Sequence, residues 1–122
     1  MADLDALAFA TRITHACQAS PVVQSNGVTI QDNLLVKIRA DLRPDLFVDV
    51  FYNAGTSKTS FALLKAFSMI ESGVRVYGAD NSTIGWHIHP FDNPNSHQTS
   101  ESVAFDAFLR TVEEWLTRKA TP

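Results

Sequence analysis

Leu34-Leu35-Val36-Lys37-Ile38-Arg39-Ala40-Asp41, followed by Arg43-Pro44-Asp45 and Leu46-Phe47-Val48-Asp49-Val50-Phe51-Tyr52, decides the fold. Leu34, Val36, Ile38 and Ala40 alternate with Leu35, Lys37, Arg39 and Asp41. Successive side chains of a strand point to opposite faces, so this is a strand with one apolar and one more polar face. Arg43-Pro44-Asp45 is a turn. Leu46, Val48, Val50 and Tyr52 then alternate with Phe47, Asp49 and Phe51. A connection this short joins antiparallel neighbours, because parallel strands need a long crossover.

The same alternation continues on both sides. Val22 onward has period two, with turn residues at Ser25-Asn26-Gly27 and Gln31-Asp32-Asn33. Asn53-Ala54-Gly55-Thr56-Ser57 is a turn, and Lys58 to Phe67 a further strand. Weak helix formers around Ser68 and a Glu71-Ser72-Gly73 turn lead into Val74 to Gly78. Asn81-Ser82-Thr83 turns the chain into Ile84 to His89. Pro90 has no N–H to donate, so that strand stops or becomes an edge there.

Helical spacing is confined to the two ends. Ala6, Phe9, Ala10, Ile13, Ala16 and Cys17 form one apolar stripe, with Asp3 and Asp5 in or near the first turn and Ser20-Pro21 as the stop. His15 lies off the stripe and reads as a surface residue. Phe105, Phe108, Leu109, Val112, Trp115 and Leu116 form the second stripe. Thr99, Ser100 and Ser102 are candidate N-caps, Glu101 and Asp106 suit the positive end of the helix dipole, and Arg118 and Lys119 the negative end. Each stripe needs a surface to bury against. The expected fold is a single α+β domain over residues 1–122. Its core is a mainly antiparallel sheet of five or six strands, with an N-terminal and a C-terminal helix on one face.

Composition narrows the function classes. The chain has 122 residues, of which 45% are hydrophobic, enough for one real core. No apolar run reaches the roughly 18 residues that span a bilayer, so no membrane partner is expected. Asp3 and Asp5 stand where a secretion signal carries positive charge. Cys17 alone excludes an intramolecular disulfide and a multi-cysteine zinc site, and a reducing cytoplasm is the expected location. Ten Lys and Arg against 13 Asp and Glu give a net charge of -3, which argues against broad nucleic-acid binding but allows a local basic patch. There is no Walker A loop, G-x-G-x-x-G or G-x-S-x-G; Asn53 to Thr59 lacks the first glycine and the Gly-Lys pair of a phosphate loop.

Three of the four histidines fall within Trp86-His87-Ile88-His89-Pro90-Phe91-Asp92-Asn93-Pro94-Asn95-Ser96-His97. Ile84, Trp86 and Ile88 are expected to face the helices, which turns His87 and His89 to the opposite, accessible face. Continued by parity, that face also carries Lys37, Arg39, Asp49, Arg75 and Tyr77, with Phe47, Phe51, Phe61 and Leu63. Cations with interleaved aromatics suit single-stranded RNA; the aromatics equally suit a homodimer interface. Three chemistries are open to the histidines. Acid–base cleavage of RNA at the 2'-hydroxyl would use imidazoles as proton acceptor and donor, with Lys37, Arg39 or Tyr77 stabilising the phosphate. Metal binding would use His87-x-His89 with His97 or Asp92. A structural role would tie the rings to loop carbonyls. Asp80, just before the histidine strand, is the best further candidate for the site.

Phe51-Tyr52-Asn53, Ser60-Phe61-Ala62-Leu63, Val76-Tyr77-Gly78-Ala79-Asp80-Asn81, Gly85-Trp86-His87-Ile88-His89-Pro90-Phe91 and the later His97 resemble the TumE-type toxin family of prokaryotic toxin–antitoxin pairs. The resemblance spans roughly residues 34 to 116. It implies growth inhibition through RNA cleavage, relieved by a cognate helix-turn-helix antitoxin. The leading expectation is therefore a toxin acting as a metal-independent ribonuclease without cofactors, with His87, His89, His97 and Asp80 as catalytic candidates. The alternatives are a dimeric protein-interaction module without enzymatic activity and a metal-dependent hydrolase.

Overall fold

The computed structural model describes residues 4–67, 70–81, 85–91 and 93–120, with backbone alone at 67, 70–73, 119 and 120. The elements are α1 (Ala6–Ala19), β1 (Ser25–Gln31), β2 (Leu35–Arg43), β3 (Leu46–Asn53), β4 (Lys58–Phe67), β5 (Ile70–Asp80), β6 (His87–His89), β7 (Gln98–Thr99) and α2 (Phe105–Ala120). Among the described residues the strands form one antiparallel sheet in chain order, β1 to β7. This is the expected α+β domain with two more strands than the lower expectation. No helix among the described residues is long and apolar enough to cross a membrane.

Both helices cover one face. Val36, Ile38, Ala40 and Leu42 of β2 and Leu46, Val48, Val50 and Tyr52 of β3 are buried beneath them, as the alternation requires. Helix α1 contributes Ala6, Phe9, Ala10, Ile13 and Cys17; α2 contributes Phe105, Phe108, Leu109, Val112 and Leu116. Each fully buried large side chain stabilises the fold by about 1.5–3 kcal/mol. Asp5 caps α1, its Oδ1 accepting from Ala8 N at 2.7 Å, a contact that stabilises a helix by about 1 kcal/mol. Ser20 Oγ donates to Glu113 Oε2 at 2.6 Å and ties the end of α1 to α2.

Several sequence expectations change. Ser25-Asn26-Gly27 is not a turn but the start of β1, paired with Asp41, Ala40 and Arg39. The predicted turn at Asp32-Asn33 is present, with φ of 54° and 55° at these residues and Leu34 N donating to Gln31 O. Two positive φ angles match the right-handed twist of a hairpin. Glu71-Ser72-Gly73 lies within β5, and Ser68 lies outside the described residues. So do Asp3, Ser82, Thr83, Ile84 and Asp92, and the roles expected of them. Helix α2 starts after Ala104, so Thr99, Ser100 and Ser102 do not cap it; Asp106 supplies the acidic residue of its first turn.

Candidate functional site

The cluster is built by strand register. Across the uncovered face, Lys37 pairs with Phe51, Phe51 with Ser60, Ser60 with Asp80, and Asp80 with His87. The next row runs Arg39, Asp49, Ala62, Gly78 and His89. His87, His89 and Asp80 therefore share the face away from the helices, as expected for the histidines. They are not accessible, however: only 4%, 3% and 9% of their surfaces are exposed. Chain that follows β6 folds back over them.

Asp80 holds both rings. His87 Nε2 lies 3.0 Å from Asp80 Oδ1, and His89 Nε2 lies 3.0 Å from Asp80 Oδ2. The other nitrogen of each ring meets a backbone carbonyl, His87 Nδ1 with Gly85 O and His89 Nδ1 with Pro94 O, both at 3.1 Å. A carbonyl only accepts, so each Nδ1 carries a proton and donates it. The remaining face of each ring, Nε2, is aimed at the carboxylate. His97 joins from the loop before β7. Its ring stacks on His87 at 4.8 Å and 24°, and meets His89 edge-on at 4.6 Å. His97 is the exposed member and is part of the cluster, not a separate loop residue.

Two clamps hold this arrangement. Asn81 accepts from Thr59 N through Oδ1 and donates to Ser57 O through Nδ2, which fixes the end of β5 that carries Asp80. On the helix side Phe91 stacks on Tyr77 at 4.2 Å and on Trp115 at 5.0 Å, anchoring the chain just past His89 to the core. Gly85 has φ of 102°, a conformation that side chains strain, and its carbonyl is the one that holds His87.

Several predicted site residues fall elsewhere. Tyr77 lies on the helix face between Phe91 and Phe108, and burial raises its hydroxyl pKa against the opposing hydrogen bond from Thr111. Phe61 and Leu63 are also core residues, with 3% and 0% exposure, so neither can serve an RNA surface or a dimer interface. Lys37 and Arg39 do lie on the histidine face, but on β2, three strands and about 14 Å from β5. Arg39 is engaged there: its guanidinium covers the ring of buried Phe47 at 3.7 Å, and its Nε pairs with Asp41 Oδ1 at 3.1 Å. Burial raises the pKa of neighbouring Asp49; Arg39 opposes that rise and Asp41 adds to it.

Arg75 is a cation that reaches the cluster. Its Cδ and the His89 ring flank Gly78, at 3.1 and 3.6 Å from where a Cβ on that glycine would sit. Arg75 Nε is buried with no hydrogen-bond partner among the described residues. Sequence parity placed Arg75 on this face, but only the missing side chain at Gly78 brings it beside His89. The carbonyls of Gly85 and Pro94 carry no sequence signal beyond their closeness to the histidines.

Chemically, the arrangement offers three imidazoles, one carboxylate and one guanidinium. The ligand atoms of His87, His89 and His97 all lie within 4.8 Å of one another, close enough to hold one metal ion after small ring movements. The same groups can move protons, with His97 as the ring that solvent reaches. No family model, curated protein or solved structure matches the chain.

Proposed function

We propose that the chain is a toxin-type ribonuclease, acting on RNA at the His87, His89, His97 and Asp80 cluster and held in check by a cognate helix-turn-helix antitoxin. The observation that carries this reading is two imidazoles held on one carboxylate, with a third, solvent-exposed imidazole packed against both rings. Cleavage at a 2'-hydroxyl requires proton removal and proton donation, and imidazole does both near neutral pH. His97 is the ring that meets substrate. His87 and His89, bonded to Asp80, position it through ring contact. Arg75 takes the phosphate-pairing role expected of Lys37 and Arg39, since its side chain flanks Gly78 together with the His89 ring and its Nε has no hydrogen-bond partner among the described residues. Lys37 and half-buried Phe51 lie along the same face, where they suit the flanking strand by charge and stacking. A buried lone thiol fits a cytoplasmic location.

The test is induced expression of wild type and His97→Ala in a bacterial host, following growth and total RNA. Wild type should arrest growth and fragment RNA, whereas His97→Ala should do neither. Matching behaviour of the two proteins, at equal soluble levels, would remove the ribonuclease reading.

A second reading, a homodimeric interaction module, is favoured by β1. This edge strand, Ser25-Asn26-Gly27-Val28-Thr29-Ile30-Gln31, has no charge and no proline, the usual guards against edge pairing. Val28 is 42% exposed on it. Sedimentation of wild type and Phe51→Glu decides this reading, which requires a wild-type dimer that the variant weakens.

A further inference from the structure

We propose that His87, His89, His97 and Asp80 form a binding site for one divalent transition metal ion of the zinc type. The inference goes beyond the ribonuclease reading and does not depend on it. It also departs from the metal-free chemistry expected from the sequence.

The first support is the direction of the lone pairs. Both Nδ1 atoms are committed to backbone carbonyls at 3.1 Å. A neutral ring fixed in this way keeps its lone pair on Nε2. Both Nε2 atoms point at Asp80, each 3.0 Å from one carboxylate oxygen. Lone pairs and a carboxylate thus converge where the side chains are 5%, 3% and 12% exposed. With both rings neutral, a bound cation relieves the repulsion between these lone pairs and the carboxylate. A ring nitrogen held by a carbonyl, leaving the other free to ligate, is also the usual support for a metal-bound histidine.

The second support is the distances. Around a four-coordinate zinc ion with bonds of about 2.0–2.1 Å, neighbouring ligand atoms stand about 3.4 Å apart. The 3.0 Å separations between Nε2 and carboxylate lie just below that spacing, and the three histidine ligand atoms all fall within 4.8 Å. The third support is composition. Three imidazoles and a carboxylate are borderline donors, suited to Zn²⁺, Co²⁺, Ni²⁺ or Mn²⁺ and not to Ca²⁺, which takes all-oxygen sets. Protons on Nε2 could hold His87 and His89 to Asp80, but they give no reason for a third imidazole to close over the pair.

The experiment is calorimetric titration of the full chain, stripped with a chelator and free of RNA, with the chlorides of Zn²⁺, Co²⁺, Ni²⁺ and Mn²⁺ in turn. Zn²⁺ should bind one per chain with Kd below about 1 µM, and the thermal midpoint should rise on loading. His97→Ala, on the surface, should fold normally and bind at least tenfold more weakly; Asp80→Asn should also lose affinity, and His15→Ala should not. Absence of binding by folded wild type, for all four ions, overturns the site, and so does His97→Ala binding as tightly as wild type. Because no RNA is present, a chain that binds Zn²⁺ but leaves RNA intact keeps this site and loses the ribonuclease reading, and the converse result separates them equally.

Discussion

Replacing Asp80 with alanine removes one carboxylate and leaves two buried imidazoles without the group their Nε2 atoms face. Asp80 meets His87 Nε2 and His89 Nε2 at 3.0 Å each, on side chains 12%, 5% and 3% exposed. A hydrogen bond to a charged group contributes about 1.5–3 kcal/mol, and two ring contacts end on this one carboxylate. Both rings share the one carboxylate, so the two losses do not add in full. The expected destabilisation is about 3–5 kcal/mol, a large share of the roughly 5–15 kcal/mol of a typical domain. With an unfolding entropy of about 2.1 cal/mol/K per residue over 122 residues, that lowers Tm by about 12–20 °C. Urea unfolding followed by Trp86 and Trp115 fluorescence, in chelator so that no ion contributes, measures it. Asp80→Asn keeps the volume and should lose about half as much. In a double-mutant cycle, Asp80→Ala and His89→Ala should couple by at least about 1 kcal/mol. A loss below about 1 kcal/mol for Asp80→Ala would refute the claim that this carboxylate organises the cluster.

Gly78→Ala should cost about 1–2 kcal/mol and reduce RNA cleavage, because the new Cβ would stand 3.2 Å from Phe61 O in the β4 ladder and 3.1 Å from Arg75 Cδ; unchanged unfolding and cleavage would contradict that packing. Ile13→Val, at a site 1% exposed, should cost about 0.5–1.5 kcal/mol in urea and leave cleavage untouched. Burial pushes the Cys17 thiol up to about 11 from its ordinary 9.0. The stability this group contributes is complete below pH 9 and is lost as pH rises through about 11. Wild type should therefore lose roughly 2–3 kcal/mol relative to Cys17→Ala across that window, and native protein should resist thiol reagents at pH 7.5.

The alternation from Val36 to Tyr52 and the two helical stripes were legible because each element buries one face, and burial writes its period into the chain. Faces further along were harder to read, because parity survives a hairpin only when odd pairs with odd. Lys37 pairs with Phe51 and keeps it. Asn53 pairs with Lys58 and Asp80 with His87, and both connections invert it. That inversion moves Phe61, Leu63 and Tyr77 into the core and returns His87 and His89 to the face of Asp80. The candidate site was legible in its residues but not in its burial. Nothing in the spacing of Pro90, Pro94 and His97 says that the chain folds back to lid the histidines, or that backbone carbonyls hold two of the rings. Arg75 was hidden for a related reason, since its closeness to His89 depends on the absent side chain of Gly78.

The most direct test of the central claim is cleavage of a fluorescently labelled single-stranded RNA by the purified chain, with and without added Zn²⁺, comparing wild type with His97→Ala of matching circular dichroism. The account predicts cleavage by wild type and a rate at least about 100-fold lower for the variant, the contribution expected of a positioned acid–base group. Equal rates for the two proteins, or intact RNA with wild type under both conditions, would contradict it.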